Sequence, residues 1–303
     1  MNKKLIAVAV AGTLVAPAVA QAEATWFGRI NTAVSFVDAD ENSTDIKNIS
    51  SRFGVKGSHD LGNGLSAVYL YEFGVASDKA DVQDNNRLSY VGLSGSFGTV
   101  TMGRIWSAAF NHVGTIMDPS QNVGGDAYNG PYRTSDTLSY AGGSGPVSLQ
   151  LDLNLDGDNA NSSGVDSWQA GGTLSFGGLS LAAAYVDTQG DDAAVADSDF
   201  TAVAAKYNME AFWLGAGYTS FDDGSADETT GVALLAGGGA GNFSWWASLE
   251  NIEDDDDNRD EDVINVNLTR VLGPGTRVYV EAGFNDDEAG DVNEILFGLR
   301  ADF

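Results

Sequence analysis

The sequence predicts an all-β chain, a 16-stranded antiparallel transmembrane β-barrel. Three observations predict it: runs in which apolar and polar residues alternate, sixteen such runs in succession, and connections that switch regularly between short and long. In Val147-Ser148-Leu149-Gln150-Leu151-Asp152-Leu153-Asn154-Leu155 one face is Val and Leu only, and the other is Ser, Gln, Asp and Asn. Ile264, Val266 and Leu268 stand opposite Asn265, Asn267 and Thr269; Val278, Val280, Ala282 and Phe284 alternate with Tyr279, Glu281 and Gly283. At the end of the chain Ile295, Phe297, Leu299, Ala301 and Phe303 share one face, with Glu294, Arg300 and Asp302 on the other. A strand with one apolar and one polar face belongs to an antiparallel sheet with a wet side. No stretch carries a 3.6-residue stripe over a helix length.

In chain order the runs cover 25–37, 48–58, 65–76, 86–94, 99–104, 134–140, 147–155, 167–176, 179–187, 199–208, 211–221, 229–236, 242–252, 262–270, 277–285 and 293–303. The first connection kind is short and Gly-rich: 60–64, 95–98, 142–146, 177–178, 208–210, 237–242 and 272–275. The second is long and acidic: 38–47, 77–85, 105–133, 156–166, 188–198, 222–228, 253–261 and 286–292. Such sorting means that the two ends of the sheet face different surroundings, as in a membrane barrel with short periplasmic turns and long outer loops. The even strand count places both termini on the short-turn side. Trp26 and Phe27, Phe212 and Trp213, Phe243 and Trp245, and Phe303 fall near strand ends, which suits interfacial girdles. Hydrocarbon offers no water to an unpaired strand edge, so the sheet must close. Sixteen strands then enclose an aqueous channel.

The N-terminus stands apart. Met1-Asn2-Lys3-Lys4 is a basic n-region, Leu5 to Val15 is apolar, and small-x-small sites follow at Ala20-Gln21-Ala22 and Ala22-Glu23-Ala24. This predicts a signal peptide over 1–22 and a barrel over 23–303. Nothing later is long and apolar enough for a transmembrane helix.

Composition removes whole classes of function. With no Cys, disulfide scaffolds, thiolate metal sites and Cys nucleophiles are excluded. A formal net charge of −28 repels phosphate, so no nucleic-acid partner is expected. His59 falls in an expected short turn and His112 in the longest loop, which gives no metal-site spacing. There is no G-x-S-x-G and no P-loop; the glycines of 237–241 precede no helix and read as a turn. Asp156-Gly157-Asp158-Asn159 lacks the later Gly and the terminal Glu of a calcium loop, and Asp254 to Asp257 reads as a solvated loop. Neither a catalytic residue nor a cofactor nor a metal site is expected.

The loop from Ile105 to Arg133 is far longer than its neighbours, and a loop of that length in a compact barrel is usually functional. It holds Asp118 and Asp126, and Gly124-Gly125 permits a sharp bend. The neighbouring strands carry isolated cations on polar faces. Arg52 alternates with Gly54 and Lys56, Arg87 with Ser89, and Arg133 closes the loop. If the loop folds into the channel, its carboxylates face that basic wall across a narrowing, an arrangement that selects among solutes by charge. Arg29, Lys56 and Arg104 are further candidates for the lumen. An acidic mouth would enrich cations ahead of the constriction.

Several of these residues resemble one known family. Ser51-Arg52-Phe53-Gly54-Val55-Lys56-Gly57, Asp60-Leu61-Gly62-Asn63-Gly64-Leu65, Asn86-Arg87-Leu88-Ser89-Tyr90-Val91-Gly92-Leu93, Phe97-Gly98-Thr99-Val100 and Gly103-Arg104 are similar to stretches of the Gram-negative general porins. The resemblance is specific over 25–140, resumes at Leu299 to Phe303, and is architectural between. It implies a homotrimer of 16-stranded barrels in the cell outer membrane, among outer-membrane lipid and lipopolysaccharide, with the third extracellular loop folded inward as an eyelet. Arg52, Arg87 and Arg133 match the family's basic wall. Asp126 follows Gly124-Gly125 as in its eyelet loop, and Asp118 falls near its other acidic position. A C-terminal Phe, here Phe303, is the family's signal to the barrel-assembly machinery. The expected function is a channel, not an enzyme: passive diffusion of ions and small hydrophilic solutes, with cations preferred. The alternative is a substrate-specific channel, for instance for oligosaccharides, with Trp246 and Tyr279 as its only clear inward aromatics.

Overall fold

A computed structural model of the chain describes residues 24–39, 41–79, 81–155, 164–190, 196–224, 228–254, 259–287 and 291–303. The expected export signal lies outside them, as do Asp156 to Asn159 and most of the Asp254 to Asp257 run. The strands are β1 (Thr25–Asp38), β2 (in two segments, Ser43–Asn48 and Arg52–Gly62), β3 (Leu65–Ala76), β4 (Asp81–Gly95) and β5 (Gly98–Trp106). After the long loop come β6 (Arg133–Ser144), β7 (Val147–Asn154), β8 (Ser167–Phe176), β9 (Leu179–Thr188), β10 (Ser198–Asn208) and β11 (Phe212–Asp222). The last five are β12 (Glu228–Ala240), β13 (Phe243–Asp254), β14 (Arg259–Gly273), β15 (Thr276–Asp287) and β16 (Val292–Asp302).

Each strand pairs antiparallel with its sequence neighbours, and β1 pairs with β16 from Arg29↔Asp302 to Asp38↔Asn293, closing the barrel. The seam runs to the last residue: the Gly28 N–H donates to the Phe303 carbonyl at 2.8 Å, and the Phe303 N–H donates to the Gly28 carbonyl at 3.0 Å. Gly28 has no Cβ, and the Phe303 ring lies where one would stand. At the short end Asn63 and Gly64 both have positive φ (54° and 76°), as a two-residue hairpin turn that follows the strand twist requires.

Burial inverts the pattern of a water-soluble protein. Leu249, Phe297 and Leu299 are more than half exposed, while Glu281, Asn265 and Asp152 are at most 1% exposed. The apolar face is turned outward to lipid and the polar face is covered within the ring. Placing a charge at Leu249 (Leu249→Arg) is therefore expected to cost about 2–4 kcal/mol, where the same change on a soluble surface would be neutral. Urea titration of the protein refolded into lipid vesicles measures it.

The strand count is as the alternation predicts, but several boundaries differ. The expected loop 38–47 contains a strand segment, Ser43–Asn48, and β4 begins at Asp81 inside the expected loop 77–85. Each stretch has a single apolar residue, Ile46 or Val82, among polar ones, too few for alternation to mark a strand. His59 lies in β2 rather than in a turn. Gly237–Gly239 continue β12 instead of turning; Gly237 pairs with Trp213, whose ring fills the space a side chain would need.

β2 is one strand broken by a bulge. From Thr32↔Asn48 to Arg29↔Arg52, β1 advances three residues while β2 advances four. Ser50 takes a positive φ of 54°. The Ile49 N–H donates to the Asn31 carbonyl at 2.8 Å, and the Asn31 N–H donates to Ser51 Oγ at 2.9 Å. The extra residue reverses the facing of the strand beyond the bulge: Ile46 is outward, yet Arg52, Gly54 and Lys56 are inward.

Candidate functional site in the loop between β5 and β6

Residues 107–132 connect β5 to β6. They form a short helical turn, Phe110–Gly114 continuing into Thr115–Met117, and then an irregular return. Their backbone amides are received by isolated carboxylates on the covered faces of three strands. Asp152 on β7 accepts from the Ala108 N–H at 2.8 Å. Glu250 on β13 accepts from the N–H groups of Gly125 (3.2 Å) and Ala127 (2.8 Å). Glu281 on β15 accepts from Gln121 (2.8 Å), Asn122 (3.0 Å) and Val123 (3.4 Å). A buried carboxylate needs several donors to offset its lost hydration, and an irregular loop has spare N–H groups to give.

Small side chains make the fit. Ala109, Val113, Ile116, Met117, Ala127 and Tyr128 form one buried cluster with Ala182, Ala184 and Val186 of β9, Phe200, Ala202 and Ala204 of β10, and residues of β12. Where the loop comes closest the strands carry glycine. Gly171 meets the Ala108 carbonyl, Gly217 meets Met117, Gly231 meets the Ala127 carbonyl and Gly283 meets Val123, so a Cβ at any of them would strike the loop. Within the loop Gly125, at φ 83°, leaves room for the Asp118 carboxylate.

Opposite the pinned loop lies a cavity of about 500 Å³. Its lining includes Arg29, Arg52, Arg87 and Arg133 from the strands, Asp118 from the loop, and Trp106. Ladder irregularities place the arginines. Arg52 follows the β2 bulge; Arg87 is the residue left over where Glu72↔Leu88 is followed by Phe73↔Asn86; and Arg104 sits in the shift between Gly103 and Ile105. Bulges re-aim side chains, and these three fall in β2, β4 and β5, on one side of the barrel. Glu72 is shared, accepting from Arg87 Nε at 2.6 Å and lying 3.4 Å from Arg52 Nε. Asp302 is shared likewise: Arg29 lies at 2.7 Å, Arg300 at 2.9 Å and Arg277 at 3.3 Å. The Arg133 guanidinium stacks on the Trp106 ring, 4.9 Å from its centroid, and Trp106 stacks on Phe110 at 4.7 Å.

Of the acids expected here, Asp118 lines the cavity and Asp126 does not. Asp118 accepts from the Ser120 hydroxyl (2.6 Å), the Ser120 N–H (3.1 Å) and the Tyr132 hydroxyl (3.1 Å). Burial pushes its pKa up, partly opposed by those bonds. Asp126 turns toward β14, accepting from Asn265 Nδ2 at 3.2 Å; burial and then the neighbouring Glu250 charge push its pKa up as well. Among the other candidates, Arg29 lines the cavity, Lys56 is exposed 5.3 Å from the Phe27 ring centroid, and Arg104 donates to the Arg87 carbonyl (3.0 Å) and to Ser135 Oγ (2.5 Å). Sequence reasoning missed Glu72, Asp152, Glu250 and Glu281. The signal available was an acid in the middle of a polar strand face, with no other charge within three residues of it on that face.

Comparisons with known proteins agree with this architecture. A family model described as Gram-negative porin matches residues 7–290. The major outer membrane protein P.IB of Neisseria meningitidis is 30% identical over 203 residues, 59% of this chain and 57% of that protein, so the match spans somewhat more than half the relative's length. The solved anion-selective porin from Comamonas acidovorans superposes with a TM-score of 0.78 at 19% identity, over 93% of this chain and all of that one. The trimer form of OmpT, an outer membrane protein of Vibrio cholerae, gives 0.76 at 16% identity over 93% of this chain and 99% of that one.

Proposed function

Because the chain belongs to the Gram-negative porin family of the outer membrane, we propose that it forms a water-filled channel for passive diffusion of ions and small hydrophilic solutes, narrowed by the loop between β5 and β6. The observation that carries this reading is the cavity in which Arg29, Arg52, Arg87 and Arg133 meet Asp118. Charges of both signs held apart on rigid supports create a transverse field that favours polar solutes over apolar ones.

The channel prefers cations. Arg52 and Arg87 share Glu72, and Arg29 shares Asp302, so much of the basic wall is balanced at short range. The rest of the chain is strongly acidic, and an acidic mouth enriches cations before the narrowing. Under a potassium chloride gradient across a planar bilayer, the zero-current potential is expected to have the cation-selective sign and to shrink as salt rises, since screening shortens to about 3 Å near 1 M. An anion-selective sign at low salt would refute it. Neutralising Asp118 and Asp126 (D118N, D126N) shifts the potential toward anions. Acidification acts in the same order: burial raises both pKa values, so these two lose charge before exposed loop carboxylates do as the pH falls. The oligosaccharide alternative gains no support from Trp246 and Tyr279. Trp246 is covered at Gly124, and Tyr279 is buried and bonded to Asn31, so they form no open aromatic track.

Residues 1–22 serve as the export signal in this reading, and the mature chain starts at Glu23. The assembly is a homotrimer, the form named for the OmpT structure, embedded among phospholipid and lipopolysaccharide. Phe303 is the contact for the barrel-assembly machinery. Deleting it removes two seam hydrogen bonds, worth about 1–3 kcal/mol together, yet the loss of outer-membrane protein is expected to be severe. Comparison of membrane levels in cells with refolding yield in detergent separates the two effects; normal levels of the truncated chain would remove the signalling role.

A further inference from the structure

Among the described residues of the membrane-spanning strands, most basic side chains turn inward: Arg29, Arg52, Lys56, Arg87, Arg277 and Arg300 share the covered face of their strands. Arg104 of β5 pairs with Ser89 on the face of Val91 and Met102, but it is tied to the Arg87 carbonyl and to Ser135. Arg270 of β14 shares the outward face with Ile264, Val266 and Leu268. It has no hydrogen-bond or ion-pair partner among the described residues, and its guanidinium lies 5.3 Å from the centroid of Phe243. It stands three residues before the end of β14 at the short-turn end, roughly 10 Å along the strand. That depth is the boundary between headgroups and hydrocarbon, where a long cationic side chain reaches polar groups while its stem remains in apolar surroundings.

Arg270 also borders a depression of about 640 Å³ in the outer wall, which crosses β13 to β16, β1 and β2. Two rows of residues in register form it. Phe243, Arg270, Val278 and Leu299 lie nearer the short turns, and Leu268, Val280, Phe297, Val34 and Ile46 lie one step deeper in the membrane. Gly298 contributes no side chain to its floor. The cation is thus confined to the interfacial row, and the deeper row is wholly apolar.

We propose that this depression binds a glycerophospholipid of the periplasmic leaflet, with its phosphate on the Arg270 guanidinium and an acyl chain along Leu268, Val280 and Phe297. A planar guanidinium can give two parallel hydrogen bonds to phosphate oxygens, and the Phe243 face holds it in place. The phosphate supplies the anionic partner that no described residue gives Arg270. Short turns mark the periplasmic side, which fixes the leaflet. The occupant is distinguished from a second copy of this chain by its chemistry: one fixed phosphate above a continuous apolar slot.

The test is native mass spectrometry of the full chain, purified in mild detergent and titrated with phosphatidylglycerol, a readout that does not depend on conductance. The wild type is expected to retain one lipid per barrel. Arg270→Gln weakens binding about tenfold, and Arg270→Lys less, since an ammonium gives phosphate a point charge without the planar fork. Val280→Trp, which fills the deeper row and leaves Arg270 in place, also releases the lipid. Equal binding by the wild type, Arg270→Gln and Val280→Trp would overturn the proposal. So would a wild type that holds no lipid and whose trimer dissociates on Arg270→Gln, which would assign the surface to a second copy. A protein that binds lipid but conducts no ions would refute the channel reading and leave this one standing.

Discussion

Replacing Glu281 and Glu250 together with alanine is expected to release the loop between β5 and β6 and open the channel. Between them these carboxylates accept five loop amide hydrogen bonds, and Glu281 is fully buried. A hydrogen bond to a buried charge is worth about 1.5–3 kcal/mol, so their loss frees the stretch from Gln121 to Ala127, while the apolar cluster around Met117 still holds the helical turn. The barrel's ladder bonds are untouched, and the variant should still assemble. Single-channel conductance is expected to rise, current noise to increase, and vesicle swelling assays to admit solutes that the wild type excludes. The Gln variants, which keep the acceptor oxygen but not the charge, should fall between. Unchanged conductance in the double alanine variant would mean that the loop does not limit the passage.

Changes at Glu72 and at its two arginines are expected to act with opposite sign. Glu72→Gln leaves the charges of Arg52 and Arg87 without their shared counter-charge and shifts selectivity toward anions. Arg52→Met with Arg87→Met leaves a carboxylate that is only 6% exposed without either cation. That shifts selectivity further toward cations and costs about 3–5 kcal/mol, as breaking a buried pair does. Zero-current potentials and urea midpoints measure the two effects independently. Shifts of the same sign in both variants would show that the triad is structural and does not face the permeating ions.

Alternation was legible in the sequence because lipid and water impose opposite demands on successive residues of one strand. It failed where a single apolar residue stands among polar ones, as in Ser43–Asn48 and the start of β4, since there only the ladder and not the side chains marks a strand. The arginines were legible as isolated cations on polar faces. Their acidic partners were not, because a wall Glu that binds a loop amide and one that merely meets water occupy the same position in the pattern. Nor could composition separate the glycines that admit the loop, such as Gly171 and Gly231, from those that make turns. That distinction depends on what approaches from across the barrel, more than a hundred residues away for Gly231.

The extra residue in β2 makes the sign of the wall a matter of counting. Beyond Ser50 every side chain of that strand faces opposite to where its parity before the break would have put it. Exchanging one amino acid for another at 49–51 alters local comfort and leaves the parity intact. Dropping one residue there moves Arg52 and Lys56 to hydrocarbon, at about 2–4 kcal/mol for a charge near the midplane, and brings Phe53 and Val55 into the water. A chain of this architecture can therefore accept many substitutions beside its narrowest point and yet be intolerant of a single-codon deletion, because the electrical character of that side of the channel is held by chain length between two fixed pairings.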